Sequence, residues 1–213
     1  MIKKNIETTK TARYFLNGNF TQQTEKIIIA CHGYGELAET FLKNFDSIDK
    51  EKILIIAPEG LHRFYTKGFF GNVGASWMTK EDRLNEINDY VKFLDKVYNE
   101  EIEIHSDKKM IKTAFGFSQG AAAVCRWFIN GNSKIDEIVL WGGSIPNDID
   151  LKINAEKFNS IRLKLLIGDK DPFITSKQIE NEKKKFNDHE IEHEFILYEG
   201  GHKIVPKKLK DVI

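Results

Sequence analysis

Proline and cysteine are scarce in this 213-residue chain, with 4 and 2 residues, and neither charge sign is in excess, with 32 basic and 32 acidic side chains. Each shortage excludes something. Two cysteines, Cys31 and Cys125, sit far apart in apolar segments. They cannot make a disulfide framework and read as reduced core residues of a cytoplasmic protein. A cancelled net charge leaves no global field to draw the chain to nucleic acid or an anionic membrane. No apolar run approaches the ~20 residues that a membrane-crossing helix needs, so membrane insertion is not expected. Met1–Lys10 is polar and charged, with no apolar stretch behind its lysines, and does not resemble a secretory signal. There is no internal repeat, no low-complexity tract and no linker-like stretch.

What the sequence does contain is core-forming material. Hydrophobic residues make up 41% and charged residues 30%, outside the range of disordered chains. The length favours one domain spanning residues 1–213. Short apolar runs alternate with helical patterns. The runs are Lys26–Cys31, Ile53–Ala57, Ile111–Phe115, Ile138–Trp141, Leu163–Ile167 and Glu194–Tyr198, as expected of strands buried on both faces. A further strand is expected at Ala12–Leu16, before the turn signal Asn17-Gly18. The spacing of Leu84, Ile87, Val91, Leu94 and Tyr98 predicts a helix over Lys80–Tyr98, with Thr79 as its N-cap. Other helices are expected from Gln119 and from Ser176 to Phe186, the latter with Ile179 and Phe186 inward. This order implies an α/β fold with a mostly parallel central sheet flanked by helices. Such sheets bind ligands at the carboxyl ends of their strands, so the residues just past each run are the candidates.

Gly116-Phe117-Ser118-Gln119-Gly120 follows one run and precedes a small-residue helix start. This is G-x-S-x-G in a strand-to-helix turn, where only small residues fit around a serine whose Oγ projects above the sheet. The bland alternative is an ordinary glycine-rich turn. His32-Gly33-Tyr34-Gly35 follows another run. There the Tyr34 N–H, together with that of Gln119, would make a two-donor oxyanion hole. A phosphate-cradling loop does not fit, since G-x-G-x-x-G and G-K-[ST] are both lacking, which also removes a flavodoxin-like nucleotide binder. His32 reads as a structural histidine. His189 and His193 lack an accompanying ligand set with metal spacing and read as solvent-facing, so no metal is expected. Gly168-Asp169-Lys170-Asp171-Pro172 and Gly200-Gly201-His202 follow the last two runs. They supply a carboxylate and a base for the serine, with Asp169 and Asp171 both open as the orienting acid.

The residues resemble the phospholipase/carboxylesterase branch of the α/β-hydrolase superfamily, which includes acyl-protein thioesterases and small bacterial carboxylesterases. The resemblance runs from Lys26 to Ile204. It rests on His32-Gly33-Tyr34-Gly35, Ala57-Pro58, Ser76-Trp77, Gly116–Gly120, Gly168–Pro172 and Gly201-His202-Lys203-Ile204. It implies an α/β-hydrolase fold without a large cap domain. Ser118 is implied as nucleophile, Asp171, directly before Pro172, as acid and His202 as base, in the Ser, Asp, His order of that superfamily. The Tyr34 and Gln119 amides are implied as oxyanion hole, with no cofactor. Two departures stand out: Ala121 replaces a glycine common in the family, and the chain ends soon after His202. The expected partner is a small-molecule ester or thioester, with a homodimer left open by the sequence. The expectation from another class is a non-catalytic ligand-binding or receptor protein on the same scaffold.

Glu59–Thr79 links a strand end to a helix and is too long for a plain connection. Its aromatic content gives the expectation that Phe69, Phe70 and Trp77 line an open, partly aromatic cleft for short to medium acyl chains. The alternative is that these rings cap the core. Gly142–Ile161, the only segment of comparable length, is polar.

Overall fold

A seven-stranded sheet organises the chain, ordered β1-β3-β2-β6-β7-β8-β9 in the computed structural model, which describes residues 1–213. The strands are β1 (Tyr14–Asn17), β2 (Lys26–Cys31), β3 (Ile53–Pro58), β6 (Ile111–Phe117), β7 (Glu137–Trp141), β8 (Arg162–Gly168) and β9 (Glu194–Tyr198). β1 runs antiparallel along β3 at one edge, and every other pairing is parallel. All the apolar runs recognised in the sequence are strands, and the extra strand lies at Tyr14–Asn17 rather than Ala12–Leu16.

The runs look continuous because alternate residues enter different cores. Ile27, Ile29 and Cys31 of β2 face a core with α2 (Arg83–Glu101), α3 (Gln119–Asn130), α4 (Leu151–Asn159) and α5 (Ser176–Asp188). Ile28 and Ala30 face the opposite core, with α1 (Ala38–Leu42) and α6 (Pro206–Val212). Both cysteines are buried and free.

The long helix starts later than its pattern suggests. α2 begins at Arg83, and its N-terminal flank is Asp82 in a left-handed conformation (φ 47°), not Thr79. Asp82 is engaged from outside by Lys3 Nζ at 2.7 Å. Leu84, expected inward, is 76% exposed, because the buried stripe runs through Ile87, Tyr90, Val91, Leu94, Val97 and Tyr98. In α5, Phe186 is buried, whereas Ile179 is only half-buried.

At the N-terminal end of the strands, Glu137 is buried and held by Lys26 Nζ at 2.9 Å, Lys164 Nζ at 2.9 Å and Thr113 Oγ1 at 3.0 Å. Burial alone would raise its pKa, but the two ammonium groups outweigh it and hold the carboxyl below its usual range. This charge cluster secures the end of the sheet remote from Ser118.

Glu59–Thr79 contains a separate antiparallel hairpin, β4 (His62–Lys67) and β5 (Phe70–Ser76). Aromatic and β-branched residues such as Phe64, Tyr65, Thr66 and Val73 suit strands, and Gly68 (φ +69°) supplies the turn. No helix is long and apolar enough to cross a membrane.

Candidate active site

Ser118 sits between the end of β6 and the start of α3, with φ 52° and ψ −114°. A non-glycine residue at that φ is strained, at a cost of order ~1–3 kcal/mol that the surroundings must offset. The flanking glycines show how they do so. A Cβ on Gly116 would stand 2.4 Å from Gly120 O, and one on Gly120 would stand 2.1 Å from Cys31 O. No side chain fits at either place, so strand and helix close together and force the serine outward. Ser118 N–H donates to Trp141 O at 2.9 Å, fixing the turn to β7.

His202 follows β9 and reaches Ser118 across the strand ends. Its Nε2 is 2.8 Å from Ser118 Oγ, and its Nδ1 is 2.7 Å from Asp171 Oδ2. Asp171 lies after β8 with its carboxylate fully shielded, and its Oδ1 accepts the Phe173 N–H at 2.9 Å. Asp169, the other acid of that loop, accepts the Gly200 N–H at 2.9 Å and ties the two loops together. The structure thus brings Asp171, and not Asp169, to His202. Phe173 packs edge-on against the imidazole at 4.8 Å and Phe117 lies 5.1 Å from it, so rings enclose the His202 side chain. A serine hydroxyl within hydrogen-bond reach of an imidazole whose other nitrogen meets a carboxylate can lose its proton along that line.

Tyr34 lies on the loop after β2 and lines the same cavity as Ser118, while Gln119 occupies the first position of α3. The Gln119 side chain is clamped. Its Nε2 donates to Met78 O at 2.9 Å and to Ser76 Oγ at 3.1 Å, and its Oε1 accepts the Trp77 N–H at 3.1 Å. Glu36 braces the Tyr34 loop: its Oε2 accepts the Gly33 N–H at 2.7 Å. Burial raises the Glu36 pKa, against the opposing pull of that hydrogen bond. His32 is fully buried between the Gly60 N–H, 2.9 Å from its Nε2, and Gly33 O, 2.7 Å from its Nδ1. Desolvation lowers its pKa, and it is the structural residue expected.

The cavity above Ser118 measures about 1000 Å³. None of Phe69, Phe70 and Trp77 lines it, which corrects the expectation for all three. Phe69 and Phe70 stand at the hairpin tip, 96% and 70% exposed. Trp77 is fully buried, with its indole N–H on His32 O at 2.8 Å. A tight hairpin carries its tip away from the sheet, where an irregular loop would have folded back over it. The hairpin touches the site from behind. Phe64 stacks on Tyr34 at 5.1 Å, and Gly35 N–H donates to Ala75 O at 2.8 Å. The remaining wall comes from α5, from the polar loop after β7, and from Phe173 and Ile174 of the loop after β8.

His189 and His193 are half-buried rather than solvent-facing, each with Nδ1 on a backbone carbonyl. No group of three or more His, Cys, Asp or Glu side chains gathers in a way that would hold a metal ion.

The sequence profile of the phospholipase/carboxylesterase family matches residues 19–213. None of the proteins with curated descriptions matches the sequence. Among solved structures, acyl-protein thioesterase 2 of Zea mays is similar, with TM-score 0.72 and 19% identity over 95% of this chain and 96% of that one. Esterase PE8 is similar too, with TM-score 0.66 and 18% identity over 96% of this chain and 100% of that one. SOBER1 of Arabidopsis thaliana gives TM-score 0.64 and 18% identity over 89% of this chain and 96% of that one. At these identities the likeness carries the fold, and the profile match carries the family. The chain belongs to the phospholipase/carboxylesterase family of the α/β-hydrolase superfamily and is a carboxylic ester hydrolase.

Proposed function

We propose that the protein hydrolyses carboxylic esters or thioesters of short to medium acyl chains through Ser118, His202 and Asp171. Ser118 Oγ attacks the acyl carbon as His202 Nε2 takes its proton. The tetrahedral oxyanion is met by the Tyr34 and Gln119 amides. His202 then returns the proton to the departing alcohol or thiol, leaving an acyl-Ser118 ester. Water, deprotonated by the same nitrogen, releases the acid. Asp171 keeps Nδ1 protonated and faces the imidazolium formed at each step. The observation that carries the reading is the pair of contacts through one imidazole, 2.8 Å to Ser118 Oγ and 2.7 Å to Asp171 Oδ2. The strained backbone at Ser118 supports it, since strain of this kind clusters at active sites.

Two measurements test the proposal. A fluorophosphonate probe is expected to label the wild type and not Ser118→Ala. Hydrolysis of 4-nitrophenyl acetate is expected to fall by ~10⁶ in kcat in that variant, as in a related triad. A Ser118→Ala protein that keeps a tenth of the activity sinks the mechanism.

A further inference from the structure

The wall that faces the substrate across from the Tyr34 loop is polar, and its chemistry bears on what the substrate carries away from its reacting carbonyl. α5 contributes Asn181, Glu182 and Lys185, and the loop after β7 contributes Ser144 and Asn147. Lys185 is fully engaged: its Nζ donates to Ile145 O at 3.1 Å and Asn147 Oδ1 at 3.3 Å, and lies 3.9 Å from Glu182 Oε2. Ser144 Oγ donates to that same carboxylate oxygen. Across the cleft, Glu36 commits one oxygen to Gly33 N–H. Oε1 of Glu182 and Oε1 of Glu36 make no hydrogen bond within the protein. The spare carboxylate oxygens can accept from a substrate hydroxyl, the free amide groups of Asn147, Gln178 and Asn181 can donate to one, and the cavity's one ammonium is already spoken for. An alkyl chain laid along this wall, away from Phe173 and Ile174, would strip water from the Glu182 carboxylate and the Asn147 and Asn181 amides without replacing their hydrogen bonds.

From this arrangement we infer that the preferred substrates are short esters whose non-reacting part bears hydroxyl groups, rather than esters of unbranched alkyl chains. The inference rests on the serine-hydrolase reading above and narrows it. A site built to hydrogen-bond a hydroxyl rejects the analogue lacking it far more strongly than an apolar pocket rejects one methylene.

The test uses matched pairs followed by acid release: glycerol 1-acetate against propyl acetate, and methyl 3-hydroxybutanoate against methyl butanoate. A series from propyl to octyl acetate accompanies them, and every protein is also titrated with the fluorophosphonate probe. In at least one pair the hydroxylated ester should show kcat/KM about tenfold or more higher. Across the acetates, kcat/KM should fall as the alkyl chain lengthens. Glu182→Leu should bring the pair ratio to within about threefold while keeping probe labelling. A wild type that takes the probe but prefers octyl acetate, or shows no preference within either pair, overturns the inference and leaves the serine-hydrolase reading standing. So does a Glu182→Leu protein with an unchanged ratio. A wild type that fails to label overturns both.

Discussion

Exchanging one carboxylate oxygen of Asp171 for an amide nitrogen is the sharpest perturbation available, because both of its oxygens are already committed. Oδ2 faces His202 Nδ1 at 2.7 Å, and Oδ1 accepts the Phe173 N–H at 2.9 Å. In Asp171→Asn the side chain has one acceptor for two donors. If its oxygen keeps the Phe173 N–H, its NH₂ points at Nδ1. The imidazole must then accept there and carry its proton on Nε2, where it can no longer take one from Ser118. If the amide turns over, its NH₂ opposes the Phe173 N–H, and a shielded donor loses its partner at ~1–3 kcal/mol. The first arrangement is cheaper, so the wrong tautomer dominates. In the well-studied serine protease triad the same exchange costs ~10⁴ in kcat, or about 5.4 kcal/mol of transition-state stabilisation at 1.36 kcal/mol per decade.

Asp169 is the internal control, one turn of the same loop away. Its side chain makes one hydrogen bond, accepting the Gly200 N–H at 2.9 Å, and an asparagine oxygen can accept that bond unchanged. Asp169→Asn is expected to keep kcat for 4-nitrophenyl acetate within about threefold and to lower stability by no more than ~1 kcal/mol. Steady-state kinetics on both variants, with thermal melts to confirm folding, decide the matter. Loss of orders of magnitude in Asp169→Asn, with a tenth or more retained in Asp171→Asn, would refute the assignment of the acid.

Gly120→Ala should lower Tm by about 5–10 °C, since its Cβ would stand 2.1 Å from Cys31 O, overpacking costs ~1–3 kcal/mol or more, and each kcal/mol moves Tm by ~2–4 °C at this size; an unchanged melt would show the turn to be slack. Acidification should weaken the fold through Asp148, whose pKa Arg126 above all, with Arg83, holds down at about 2. A carboxyl depressed in the folded state adds stability above its unfolded value of ~3.9, and that stability is lost as pH falls towards the folded one. Melts between pH 5 and pH 2 should therefore decline more gently for Asp148→Asn than for the wild type, and parallel curves would remove Asp148 from the account. Phe69→Ala and Phe70→Ala should leave kcat/KM for acetate esters within about twofold because neither ring lines the cavity, whereas Trp77→Ala should cost ~3–5 kcal/mol of stability; a changed chain-length profile in either phenylalanine variant would return the hairpin tip to the site.

The parts of this protein most legible in its sequence are those where a local pattern has one geometric solution. Two-faced strands must read as apolar runs, so Lys26–Cys31 appears in the structure with the bounds expected of it. Ser118 is legible because Gly116 and Gly120 are the only residue type that lets strand and helix meet there. Other features have no local signature. Glu36 is a lone acid on a glycine turn until the fold closes and its carboxylate meets Gly33 N–H. Phe173 looks like any exposed aromatic in a loop until His202 arrives from 29 residues further along to lie beneath it. Leu84 misleads in the other direction: it fits the helical stripe, yet lies in the first turn, before α2 reaches the sheet.

The hairpin, expected as a wall of the substrate site, stands instead behind the Tyr34 loop and the Gln119 side chain. Aromatic residues in a long connection at the catalytic edge point equally to a cavity wall and to a strand pair, and only register separates the two. In register, β4 and β5 bring Gly74 against Gly35, where a Cβ would stand 2.4 Å from Gly35 O, and deliver Ser76, Trp77 and Met78 to the Gln119 side chain. Both amides proposed to meet the oxyanion thus lean on this one element from behind, while the groups that would meet the rest of the substrate lie on α5 and the loop after β7. Position of the reacting centre and recognition of the substrate are carried by different elements. Loosening the hairpin should therefore act on kcat, through the amides, and altering α5 should act on selectivity, leaving the serine and its imidazole in place.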